Sequence, residues 1–187
     1  MEINMKEVLE GNPIIAAVKN NEELGFAINS EAEVIFVLYG NILDIEEISK
    51  KISGKNKIGI VHIDLIEGLS SREVSVRFIK KKTTFKGIVT TKQPIIKIAK
   101  SLNLYVVYRM FIFDSLSLEN AKKHIFNESD AIEILPGIIP KVIESLSKIA
   151  KKPIIVGGLI DDKDEVIKAL NAGATCVSTT DKDIWSI

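Results

Sequence analysis

The sequence predicts an α/β fold: a compact TIM-like (β/α)8 barrel with short loops, filling residues 1–187 as a single domain. Eight short apolar runs alternate with stretches of helical periodicity, at the spacing of βα units. The runs are apolar almost throughout, as strands buried on both faces of a parallel sheet must be. Eight such units favour closure into a barrel over an open doubly wound sheet. Barrels of this kind usually need about 200 residues or more. A chain of 187 residues therefore needs minimal loops and shortened helices.

Taken in order, residues 1–10 read as a short helix stopped by Gly11, and 13–18 (PIIAAV) as the first strand. Asn20 and Glu23 have capping spacing before a weak helix to Asn29. VIFVL at 34–38 is the second strand, closed by Tyr39-Gly40-Asn41; residues 45–52 then place Ile45, Ile48 and Ile52 on one helical face. The third strand, 57–63, runs into Asp64, and Ser70 with Glu73 has capping-box spacing for a helix to Lys82. Residues 87–90 form the fourth strand, and Pro94 suits the first turn of a helix to Leu102. The fifth strand, 104–108, ends before Arg109 and is followed by a helix over 116–125. The sixth, 131–135, ends at Pro136-Gly137, ahead of a helix over 138–150. The closing pair is strand 153–156, the turn Gly157-Gly158, a helix capped by Asp162 and Glu165, then strand 174–177 and the turn Ser178-Thr179-Thr180. Gly173 reads as a helix C-cap, and Trp185 is expected to pack near the end.

Lys and Arg total 25 and so do Asp and Glu, so no global charge draws the chain to nucleic acid or an anionic membrane. Local basic clusters remain at Lys50-Lys51, at Lys80-Lys81-Lys82 with Lys86, and at Lys148 with Lys151-Lys152. Cys176 is the single cysteine, which excludes an intramolecular disulfide and suits a reducing cytoplasm; in an apolar run it reads as a buried small hydrophobe. The acidic N-terminus does not read as a signal peptide, and no apolar run reaches the ~18 residues of a membrane span. The expectation is a cytoplasmic protein with no membrane partner. Nothing resembles a P-loop, a Ser/His/Asp constellation or a CxxC zinc site, so no cofactor and no metal are expected.

In a parallel barrel, functional side chains gather where strands end. By that criterion the ring is Lys19, Tyr39, His62, Asp64, Glu67, Lys92, Arg109, Glu133 and Ser178. The turns after the seventh and eighth strands, Gly157-Gly158 and Ser178-Thr179, are neighbours, and their amides and hydroxyls would form a phosphate site. The plainer alternative is that Gly157-Gly158 is only a tight turn. His62 and Asp64 would share one face of the third strand, either as ligand contacts or as a structural pair. Glu133 is a lone carboxylate in an apolar strand and needs a partner; Arg109 is the natural one. Either the two fill the barrel, or Arg109 faces an anion and Glu133 a hydroxyl. Lys92 either reaches a phosphate or is a solvated lysine. Asp64, Glu67 and Glu133 could hold a divalent metal through oxygens, although no tight spacing supports it. His124 reads as an exposed helical residue.

Five segments jointly resemble one family: HIDLIEGLS (62–70), YRMFIFDSLSLEN (108–120), EILPGIIPKVI (133–143), GGLI (157–160) and AGATCVSTTDKDIW (172–185). It is the glycerol-3-phosphate-responsive antiterminator family, and the resemblance runs from PIIAAVK to the terminal tryptophan. The resemblance implies a small barrel that senses glycerol 3-phosphate and binds leader mRNA of a glycerol uptake operon, preventing premature termination. The expected protein is thus a non-enzymatic regulator with no catalytic residue. Its phosphate site is Gly157, Gly158, Ser178 and Thr179, and its polyol contacts come from His62, Asp64, Lys92, Arg109 and Glu133. A homo-oligomer is compatible with this reading. The alternative is a phosphate-anchored barrel enzyme acting on a small phosphorylated polyol or triose.

Overall fold

A computed structural model describes residues 4–186. Eight parallel strands close into a barrel in chain order: β1 (Ile14–Val18), β2 (Val34–Val37), β3 (Ile58–His62), β4 (Gly87–Thr90), β5 (Tyr105–Phe111), β6 (Ala131–Leu135), β7 (Ile154–Gly157) and β8 (Cys176–Thr179). The helices are α1 (Met5–Gly11), α2 (Asn21–Ala27), α3 (Ile45–Ser53), α4 (Glu73–Lys82), α5 (Gln93–Ser101), α6 (Ser115–His124), α7 (Pro140–Ser147) and α8 (Lys163–Asn171). None exceeds 10 residues, which is how a full barrel fits so short a chain. The start of the expected 1–10 helix lies outside the described residues.

The strands are apolar on both faces because each face has its own core. Inside the barrel, Ile15, Ala17, Phe36, Ile60, Val89, Val107, Ala131 and Ile155 pack together, and Met5 and Leu9 of α1 plug the end where the strands begin. Cys176 joins this plug: its thiol donates to the Leu9 carbonyl at 3.1 Å, and burial pushes its pKa up to about 12, so it is an inert core residue. Outside, alternate residues such as Ile35, Val61, Ile88 and Ile132 pack against Ile48, Ile79, Ile96 and Leu146 of the helices. Each fully buried Ile or Leu contributes about 1.5–3 kcal/mol relative to exposure.

Three boundaries differ from expectation in ways that shape the site. β3 stops at His62 and the chain turns into a 3-10 helix over Ile63–Leu65, so Asp64 is not a strand residue. β5 runs on to Phe111, because Arg109, Met110 and Phe111 pair with Glu133, Ile134 and Leu135 of β6. β7 and β8 each extend past their predicted ends, pairing Gly157 with Ser178. The expected Ser70 capping box is not formed. α4 begins after Arg72 without a side-chain cap, and Ser75 Oγ instead accepts the Ser70 N–H. Asn20 and Asp162 do cap their helices, accepting from Glu23 N–H at 2.8 Å and Glu165 N–H at 2.7 Å.

Candidate functional site

Interior-facing positions continue upward from the apolar layers to the strands' C-terminal ends, where they turn polar. On β5 and β6 the residues two beyond Val107 and Ala131 are Arg109 and Glu133, which are register partners. Arg109 Nε donates to Glu133 Oε2 at 2.7 Å, and Ser178 Oγ donates to Glu133 Oε1 at 2.7 Å. Glu133 is wholly buried, yet both its oxygens are satisfied. Only one of the five guanidinium N–H groups is used in this way, and the two terminal nitrogens meet no acceptor among the described residues.

Above this layer lies a cavity of about 130 Å³, lined by Ala17, Leu38, Arg109, Glu133, Leu135, Gly158, Leu159, Ile160, Ser178, Thr179 and Thr180. A water occupies about 30 Å³ of liquid, so the cavity holds a group of a few heavy atoms. The backbone N–H groups of Gly158, Leu159 and Thr180 have no acceptor among the described residues. Gly158 and Leu159 both adopt left-handed backbone, at φ +76° and +62°. That conformation is uncommon for leucine and is the kind of local strain that collects at binding sites. The β7 and β8 loops are fixed to one another: Thr179 Oγ1 donates to Ile160 O at 2.8 Å, and Trp185 Nε1 donates to Thr179 O at 2.9 Å. Free amides, one cation and no free carboxylate oxygen are the chemistry that suits an anion.

Of the nine predicted site residues, Gly158, Ser178, Thr179, Arg109 and Glu133 line this cavity. Gly157 lies directly beneath it. A Cβ there would sit 2.3 Å from Ser178 Oγ and 3.2 Å from Glu133 Oε1, so only glycine leaves room for the Ser178–Glu133 bond. Gly157→Ala should therefore cost about 1–3 kcal/mol through overpacking, measurable as a lower urea midpoint. The Ser178 and Thr179 hydroxyl protons are already engaged by the protein, so the donors facing the cavity are backbone groups and Arg109.

The other three residues do not line it. Asp64 ties down the end of β4, accepting from Thr90 Oγ1, from Thr91 N–H at 2.7 Å and from Thr91 Oγ1 at 3.0 Å. Lys92 Nζ donates to Ser71 Oγ across the neighbouring loops. His62 is buried in the polar layer, and its Nδ1 has no partner. Elsewhere in the predicted ring, Tyr39 donates to Asn21 Oδ1 at 2.9 Å, and burial raises its pKa to about 12. Lys19 and Glu67 lie exposed, and Glu67 pairs by backbone with Asn41. Asp64, Glu67 and Glu133 do not converge. The carboxylates that approach one another among the described residues are Asp161, Asp162 and Glu165, two of which cap α8 and its preceding turn. Sequence reasoning did not single out Leu159 and Thr180 as site candidates; what they offer the cavity lining is an unengaged backbone N–H, which carries no side-chain signature.

Residues 14–185 match the model of the glycerol-3-phosphate responsive antiterminator family. The chain belongs to that family. A glycerol uptake operon antiterminator regulatory protein from Listeria monocytogenes has the same barrel, at TM-score 0.90 and 25% identity over 99% of this chain and 98% of that one. A glycerol uptake operon antiterminator-related protein from Thermotoga maritima superposes at TM-score 0.83 with 29% identity, covering 93% and 98%. The uncharacterized Escherichia coli K12 protein YgcP is 42% identical over 96% of this chain and 95% of its own. Among the described residues of this antiterminator-family chain, no helix is long and apolar enough to cross a membrane.

The buried histidine of this family member gives it a specific acid sensitivity. Burial, reinforced by the Arg109 charge, lowers the His62 pKa from 6.5 to about 4. Between those values the unfolded chain binds the extra proton and the folded chain does not. The contribution is therefore complete above pH 6.5 and is lost as pH falls through about 4. Its full size is about 3 kcal/mol. His62→Phe removes the titration, so the wild type should lose about 3 kcal/mol more than the variant between pH 7 and 4. Urea unfolding at each pH checks this.

Proposed function

We propose that the chain binds glycerol 3-phosphate at the barrel mouth and uses it to control an antitermination contact with leader mRNA. The phosphate sits on the N–H groups of Gly158, Leu159 and Thr180, facing the terminal nitrogens of Arg109. Its glycerol part lies outward against Leu38 and Leu135, within reach of Arg109 and the Ser178 oxygen. The observation that supports this most is the unengaged half of Arg109 opening into the same small cavity as three unengaged amides. The family's description and the names of its Listeria and Thermotoga relatives point the same way.

For RNA, the end of α4 is the best-suited basic cluster. Lys50, Lys51 and Lys148 are paired with glutamates, and Lys152 is taken up by the carbonyls of Asn127 and Ser129. Lys81, Lys82 and Lys86 are exposed and make no ion pair within 4 Å among the described residues. RNA affinity resting on these lysines should fall steeply with salt.

A binder is favoured over an enzyme because both Glu133 oxygens are already hydrogen-bonded and His62 lies outside the cavity lining. Calorimetric titration with glycerol 3-phosphate should give saturable heat at one site per chain, and the recovered ligand should be unchanged. Absence of heat counts against binding, and consumption of the ligand counts for the enzyme.

A further inference from the structure

Six of the thirteen exposed large apolar side chains among the described residues gather in one sector of the barrel rim. Phe111 (51% exposed), Phe113 (81%), Leu116 (69%), Ile138 (41%), Ile139 (37%) and Leu159 (71%) stand at the end of β5, on the loops that follow β5, β6 and β7, or on the first turn of α6. These loops form one surface: Ile112 N–H donates to Leu135 O at 2.8 Å, and Gly137 N–H donates to Gly158 O at 3.1 Å. The six side chains together expose on the order of 600 Å² of apolar surface. That lies at the upper end of the roughly 300–600 Å² of the largest patch on a typical monomer, a size often tied to function. It also approaches the ~800 Å² that each partner contributes to a standard stable interface.

We infer that this patch is a self-association surface on which a second copy of the chain docks, patch to patch, about a twofold axis. The chemistry around it narrows the occupant. Segments 111–116, 136–139 and 158–162 contain no lysine or arginine but include Asp114, Asp161 and Asp162, which disfavours RNA or an anionic membrane. The chain has no net charge, so two copies approach without overall repulsion. An apolar patch of this size can serve both sides of an isologous contact, in which the same residues meet their own equivalents. Phe113 is its most exposed member and Leu116 follows Leu159, and neither lines the cavity, so they can be changed without touching it.

Sedimentation velocity on the full chain, from micromolar to submillimolar concentration and without ligand, tests the surface independently of the ligand reading. The wild type should sediment at twice the 20.7 kDa of one chain. Phe113→Asp and Leu116→Lys should each sediment as single chains that still unfold cooperatively, at a midpoint that no longer rises with protein concentration. Leu43→Asp, at a side chain 91% exposed over the opposite sector of the rim, should remain associated. The inference is overturned by a wild type that stays at 20.7 kDa throughout, by Phe113→Asp and Leu116→Lys keeping the wild-type mass, or by Leu43→Asp dissociating it equally well.

Discussion

Glu133→Ala should destabilise the protein by about 3–5 kcal/mol, the usual cost of removing one partner of a buried ion pair. The cause is what stays behind. Arg109 is 8% exposed and would keep its charge with no carboxylate, while Ser178 would lose its acceptor. For a chain of this length each kcal/mol moves the midpoint by about 2–4 °C, so a fall of roughly 10 °C is expected. Differential scanning calorimetry at neutral pH measures it. A fall of only a degree or two would mean that water enters and solvates the guanidinium, and that the pair contributes little.

The second large effect separates stability from binding. In Arg109→Met/Glu133→Leu both charges go together, leaving no buried ion unpaired. Such replacements are often neutral or better, so most of the stability lost in Glu133→Ala should return, apart from about 1–3 kcal/mol for the orphaned Ser178 hydroxyl. The cavity, however, loses its only cation. Affinity for glycerol 3-phosphate should drop at least about 30-fold, the lower end of what losing a buried charge contact costs. Calorimetric titration of the folded double variant reads this directly. Unchanged affinity would remove Arg109 from the site while leaving the amides as the remaining anchor.

The eight units were legible because strands buried on two faces leave long apolar runs, and β4 and β6 have the bounds expected for them. The Arg109–Glu133 pair was legible for a different reason: a single carboxylate inside AIEIL has to find a cation, and the next strand offers one. What was hidden depends on partners remote in sequence. β5 is lengthened by its pairing with β6 through Phe111 and Leu135, which the local run YVVY does not encode. His62 and Asp64 were placed on one strand face, but the chain coils after His62. Asp64 thereby gathers three donors from Thr90 and Thr91, which lie 26 and 27 residues away. Likewise Ser178 and Thr179 were expected to offer hydroxyls to a phosphate. Their protons go instead to Glu133 and to the Ile160 carbonyl, and the free donors are amides whose availability depends on the left-handed Gly158-Leu159 turn.

The measurement that bears most directly on the account is a crystal structure with glycerol 3-phosphate bound. The account predicts phosphate oxygens within hydrogen-bonding distance of the Gly158, Leu159 and Thr180 amides and of the Arg109 terminal nitrogens, with the Arg109–Glu133–Ser178 bonds intact. Density for the ligand elsewhere on the barrel, with those three amides facing only solvent, would contradict it.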